Sequence, residues 1–130
     1  MQGMVFLMVN GEAMRGGRLH HHVADHPFVG DVQTAPRYRF FSVRDAFPGL
    51  APATEGEGGT VRGEVYDVPL EVVRDAFLPD EPPELELGVV ELADGTASLC
   101  MVLRADRQGH PDLTDITGFG GWRAYLQTLR

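Results

Sequence analysis

The chain has 130 residues, 43% of them apolar and spread along its whole length, which suits one compact domain with a real core and argues against disorder. Eleven basic residues, every one an arginine, face 19 acidic ones; a net charge of −8 argues against nucleic acid or an anionic membrane as the main partner. The single cysteine, Cys100, rules out an internal disulfide, and no apolar run approaches the roughly 20 residues of a membrane span. With no basic leader-like segment at the start, a soluble cytoplasmic domain spanning residues 1–130 is expected.

Met4 to Val9 is an unbroken apolar run, too short for an ordinary helix, and reads as a strand buried on both faces. Asn10-Gly11 ends it, because both residues tolerate the positive φ of a tight turn. The loop that follows, Asn10, Gly11, Glu12, Ala13, Met14, Arg15 and on to Gly17, presents backbone N–H groups beside a core, a common way to build an anion pocket. Leu19 to Val23 forms a short helix or turn, and Pro27 ends any helix at or before His26. Tyr38 to Val43 reads as a strand, and residues 47–60, rich in proline and glycine, as a long surface loop.

A strand over Val61 to Val68 leads into Pro69, which opens a helix carrying Leu70, Val73 and Phe77 on one face. Pro79 stops that helix, and Asp80-Glu81-Pro82-Pro83-Glu84 makes a stiff acidic connection. Leu85 to Leu92 and Ala97 to Arg104 form a hairpin around Asp94-Gly95. Trp122, Tyr125, Leu126 and Leu129 fall at helical spacing and close the chain. Strands grouped together with helices at the margins predict an α+β domain whose mixed or antiparallel sheet curls into a small barrel.

The run His20-His21-His22 with His26 invites a metal, since His22 and His26 would share a helix face. Pro27 breaks that helix and no Cys or Glu-x-x-His pattern supports it, so no metal is expected. There is no Gly-x-Ser-x-Gly, and Gly56, Gly58 and Gly59 lack the Lys-Ser/Thr of a phosphate loop, so no triad and no nucleotide cofactor is expected. Carboxylates remain. Glu64, inside a strand, needs an Arg or N–H partner if it points inward. Glu81, on the proline-braced connection, suits a general acid or base whose position matters. Arg37 and Arg39 share a strand face and either clamp a carboxylate or form a solvated face.

Val5 to Gly17, Thr34-Ala35-Pro36-Arg37-Tyr38-Arg39 and Gly63-Glu64-Val65-Tyr66 fall in the order seen in the gamma-glutamylcyclotransferase-like (AIG2-like) superfamily, which the chain resembles. Leu87 to Leu92 with Asp94-Gly95, and above all Ile116 to Leu126 with its Gly120-Gly121-Trp122-Arg123-Ala124-Tyr125 segment, resemble the C-terminal domain of allophanate hydrolase, here as a free-standing relative. The resemblance implies a small, nearly closed β-barrel with flanking helices and a pocket at one end. In cyclotransferases a Tyr-Gly-Ser/Thr-Leu loop holds the substrate, and Asn10-Gly11-Glu12-Ala13 stands there; their acid/base glutamate matches Glu81. In allophanate hydrolase the loop reads Gly-Ala-His and the domain is associated with decarboxylating an N-carboxylated product; this chain has Gly11-Glu12-Ala13, without the histidine.

Together these features predict a protein that binds, and acts on, a small carboxylated amide, urea or carbamate compound. Asn10, Gly11, Glu12, Ala13, Met14 and Arg15 would cradle the carboxylate, Arg37 and Tyr38 would orient it, and Glu81 would move protons. The alternative is a non-catalytic binding or accessory module that kept the barrel and lost the chemistry. A homodimer is the expected assembly, covering the apolar surface that a small barrel leaves exposed.

Overall fold

The computed structural model describes residues 3–129. Eight strands, β1 (Met4–Val9), β2 (Phe28–Gln33), β3 (Tyr38–Val43), β4 (Phe47–Pro52), β5 (Arg62–Pro69), β6 (Leu85–Glu91), β7 (Ala97–Leu103) and β8 (Leu113–Asp115), form one mixed sheet in the order β2-β5-β1-β7-β4-β3-β8. The sheet curls into a half-barrel. β6 lies off this path, paired antiparallel with β7 from Leu85↔Leu103 to Glu91↔Ala97. Helix is scarce. α1 (Leu70–Val72) runs on through a π-helical turn, Val73–Phe77, and a 3₁₀ turn, Leu78–Asp80; α2 (Trp122–Gln127) closes the chain.

The strand β7 organises the rest. One flank is taken wholly by β6; the other is shared, running parallel to β1 at Leu7↔Leu99 and Met8↔Cys100 and parallel to β4 at Leu50↔Val102. β1 and β4 therefore fork away from a common strand. Leu7, Met8, Phe40, Leu50, Val65, Leu103, Ile116 and Trp122 form the core and are withdrawn from solvent. Each contributes on the order of 1.5–3 kcal/mol by burial.

Four elements differ from the sequence-based expectation. Residues 47–60 are not one surface loop: Phe47–Pro52 is β4, with Leu50 fully buried. Its prolines, Pro48 and Pro52, share parity, so both missing N–H groups fall on one edge of the strand. The ladder to β3 runs through six pairs while that to β7 is a single pair. β2 was not anticipated, because an edge strand with mostly exposed residues shows no apolar alternation. β8, three residues long, carries no pattern either. β1 is buried only from Leu7 to Val9; Met4 and Phe6 are 47% and 39% exposed.

β3 and β4 are joined by Arg44-Asp45-Ala46; Ala46 N–H donates to Val43 O at 3.0 Å, closing a turn whose central residues, Arg44 and Asp45, both take positive φ (53° and 58°), as in the turns whose twist matches a hairpin. Asp45 tolerates this because its Oδ1 accepts from Ser42 Oγ at 2.7 Å and from Tyr125 Oη at 2.6 Å, which ties the turn to α2. Among the described residues no helix is long and apolar enough to cross a membrane.

Candidate active site

A cavity of about 200 Å³ opens where β1 and β4 part on β7. Its walls come from Met8 and Val9 of β1, Phe47 and Pro48 of β4, Cys100 and Met101 of β7, Leu85 of β6, Phe77, and the segment Asp80-Glu81-Pro82. Asn10, Gly11, Glu12 and Ala13, with Arg18 and Leu19, close the remaining side. The space is below the range of drug-sized pockets, about 300 Å³ and upward, and fits a compound of few atoms.

The loop after β1 takes its shape from one close approach and a set of hydrogen bonds. A Cβ on Gly11 would lie 2.5 Å from Pro48 Cδ, so only glycine lets the loop lie against β4. Met14 N–H then donates to Gly11 O at 3.1 Å and Leu19 N–H to Glu12 O at 2.9 Å. Glu12 pins the loop to α2: Trp122 Nε1 donates to its Oε2 at 2.8 Å and Arg18 Nε to its Oε1 at 3.2 Å. The N–H groups of Gly11, Glu12 and Ala13 have no acceptor among the described residues.

Glu81 sits half-buried in the cavity wall, and no cation lies within ion-pairing distance among the described residues. Burial, with a smaller contribution from the Asp80 charge, pushes its carboxyl up to about 7. Cys100 is the opposite case for reactivity. Burial and then the neighbouring Glu81 charge push its thiol up to about 12, against the hydrogen bond from Asn10 Nδ2 at 3.4 Å, so it remains a neutral hydrophobe.

Of the residues singled out from sequence, Asn10, Gly11, Glu12, Ala13 and Glu81 come together around this cavity. Met14 packs in the core and lines a separate small hollow beside Trp122. Arg15 is committed elsewhere: its N–H and Nε both donate to Glu64 at 2.9 Å, its Nη2 donates to Asp31 at 2.8 Å, and its guanidinium lies 4.5 Å over the Phe28 ring. Arg37 pairs with Glu91 at 3.3 Å, and Tyr38 Oη accepts from Glu91 N–H at 2.8 Å. Neither lines the cavity, and Arg39 is held by Asp115 and Glu57 O.

Glu64 does point inward and has the partners burial demands. Burial acts to raise its pKa, but donors from Arg15, Arg123 and Tyr66 outweigh it and the carboxyl is held below its usual range. His20 Nδ1 lies 3.0 Å from Ala13 O, behind the loop rather than in the cavity lining. Arg18, 73% exposed, is the one cation that lines the cavity among the described residues, and sequence reasoning passed over it. Its signal was its place directly after Gly16-Gly17, on the same loop. Phe47 and Pro48 were missed with β4 itself.

A curled mixed sheet with few helices is the α+β fold of the gamma-glutamylcyclotransferase-like superfamily. An AIG2-like protein from Mus musculus shares that fold at 21% identity and a TM-score of 0.61, over 82% of this chain and 80% of that one. The chain belongs to the family of the allophanate hydrolase C-terminal domain, whose model matches residues 5–127. The structure of a uropathogenic E. coli-specific protein is similar at 33% identity and a TM-score of 0.85, covering 96% of this chain and 97% of that one. Urea amidolyase from Saccharomyces cerevisiae is 28% identical over 130 residues, which are 95% of this chain but only 7% of that protein.

Proposed function

We propose that the cavity binds a small carboxylated amide, urea or carbamate compound and that Glu81 transfers a proton to or from its nitrogen. The observation that carries this reading is geometric. Glu81, a carboxyl without a counter-ion, and three loop residues whose N–H groups lack acceptors line one small cavity, beside a single exposed arginine. The N–H groups of Gly11, Glu12 and Ala13 are suited to a carboxylate, with Arg18 adding charge at the rim. Glu81 protonated at its raised pKa is suited to general-acid work at neutral pH. For an N-carboxylated substrate the step balances simply. The N–C bond breaks, its electron pair stays on nitrogen, carbon dioxide leaves, and the Glu81 proton goes to nitrogen. Membership in a family named for allophanate hydrolase supports this substrate class.

A thermal-shift screen with carbamates, malonate-like diacids and gamma-glutamyl amino acids, followed by turnover assays on each hit, tests the proposal. Wild-type protein is expected to be stabilised and to turn over at least one hit, and Glu81→Gln to be stabilised but inactive. Equal turnover by Glu81→Gln would refute the role of Glu81. Ala13, standing where the related loop carries histidine, favours a second reading, binding without turnover. Stabilisation by a ligand that is never consumed would establish that one.

A further inference from the structure

His21 and His22 are neighbours in sequence and Asp80 follows His22 by 58 residues, yet the three side chains meet in space, Asp80 itself lying in the cavity wall. Their donor atoms, one from each side chain, all fall within 4.8 Å of one another. His22 Nε2 is 2.8 Å from Asp80 Oδ2, and the His21 and His22 rings stand 4.1 Å apart. We propose that these three residues form a binding site for a divalent transition-metal ion of the zinc, cobalt or nickel class.

Two imidazoles and one carboxylate are a donor set such ions favour, and it is too rich in nitrogen for magnesium or calcium. Bonds of about 2.0–2.2 Å in a tetrahedral arrangement place donors roughly 3.3 Å apart. The His22–Asp80 contact needs to open by about half an ångström and the remaining pairs to close by about one and a half at most. The side chains are free to do so: Asp80 is 57% exposed and His21 is exposed too. The framework is fixed, however. His22 packs edge-on against the buried Phe77 ring at 6.3 Å, and both contributing segments are single 3₁₀ turns braced by the fold.

His20 is excluded from the set, because its ring is turned to Ala13 O. His26, the partner that helical spacing offered His22, is not part of the set; the fold supplies Asp80, 58 residues away, instead. Three protein ligands leave one tetrahedral position for water or for an oxygen of another molecule, and Asp80 is itself part of the cavity wall.

The test uses tag-free, chelator-stripped protein titrated with zinc ion by calorimetry, with cobalt ion followed by its visible absorption as a check on geometry. One-to-one binding is expected, with the absorption of a four-coordinate cobalt site. His22→Ala and Asp80→Asn should each weaken zinc binding by about 10-fold or more, while His26→Ala leaves it unchanged. Metal-free melts of each variant separate lost ligation from lost folding, and Asp80→Asn keeps the side-chain shape. Absence of saturable binding by the wild type, or equal loss in His26→Ala, would overturn the assignment. Either result leaves the proposed ligand chemistry of the cavity standing, since metal binding is read without any substrate.

Discussion

Glu64 and Glu81 are both carboxyls drawn away from water, and their neighbours send them in opposite directions. Glu64 is 1% exposed but surrounded by donors, so its pKa falls; Glu81 has none, so its pKa rises to about 7. A raised folded-state pKa contributes stability that is complete below the unfolded value near 4.5 and is lost as pH climbs through 7. In chelator, Glu81→Gln should therefore match wild type at pH 4 and exceed it at pH 8, by on the order of 2–3 kcal/mol in urea melts. A lowered pKa works the other way. The stability contributed by Glu64 is present above its unfolded pKa and lost as pH falls through the depressed one. Glu64→Ala strands the buried Tyr66 hydroxyl and should cost about 2–3 kcal/mol at pH 7, checked by the same melts.

That Glu81 sits on a stiff segment was legible, because the flanking prolines constrain its backbone. The placement of Arg37 was not, because strand alternation tells which face a residue takes and says nothing about which end of the barrel holds the cavity.

Among the elements, the loop after β1 and the strand β4 depend on each other. Gly11→Ala pushes a methyl into the Pro48 ring and should cost about 1–3 kcal/mol in stability, as overpacking does elsewhere. It should also abolish the thermal shift produced by cavity ligands, because the loop that offers the free N–H groups must move. A melt with and without ligand checks both. Arg18→Ala, at the open rim, should leave the melting temperature within a degree or two and weaken ligand binding by about 10-fold, the size of one exposed charge-assisted contact.

β1, β3, β5, the β6–β7 hairpin and α2 announce themselves by apolar runs, turn dipeptides and helical spacing. β4 hides behind Pro48 and Pro52, whose usual meaning is a loop. It forms because its tie to β7 needs only one pair. β2 and β8 are edge elements held by neighbours rather than by their own pattern.

At the scale of the whole molecule, the grouping of strands was enough to predict an α+β curled sheet, and the sheet is of that kind. The site was only half visible, since six of its residues, Met8 to Ala13, come from one contiguous stretch while the rest arrive from Arg18 and Leu19, from β4, from the segment between Phe77 and Leu85, and from β7. A ligand present at 100 times its dissociation constant should raise global stability by about 2.7 kcal/mol, measurable as a shift in the urea midpoint at unchanged slope.

The branching of β1 and β4 from one side of β7 has a bearing on how such a domain diversifies. Phe47 and Pro48 line the gap between the two branches, whereas Glu81, the carboxyl proposed to handle the proton, sits on a different segment. On the proposed function, guest size and reaction chemistry are thus governed by separate stretches of chain. Trimming Phe47 should admit a bulkier molecule without disturbing Glu81.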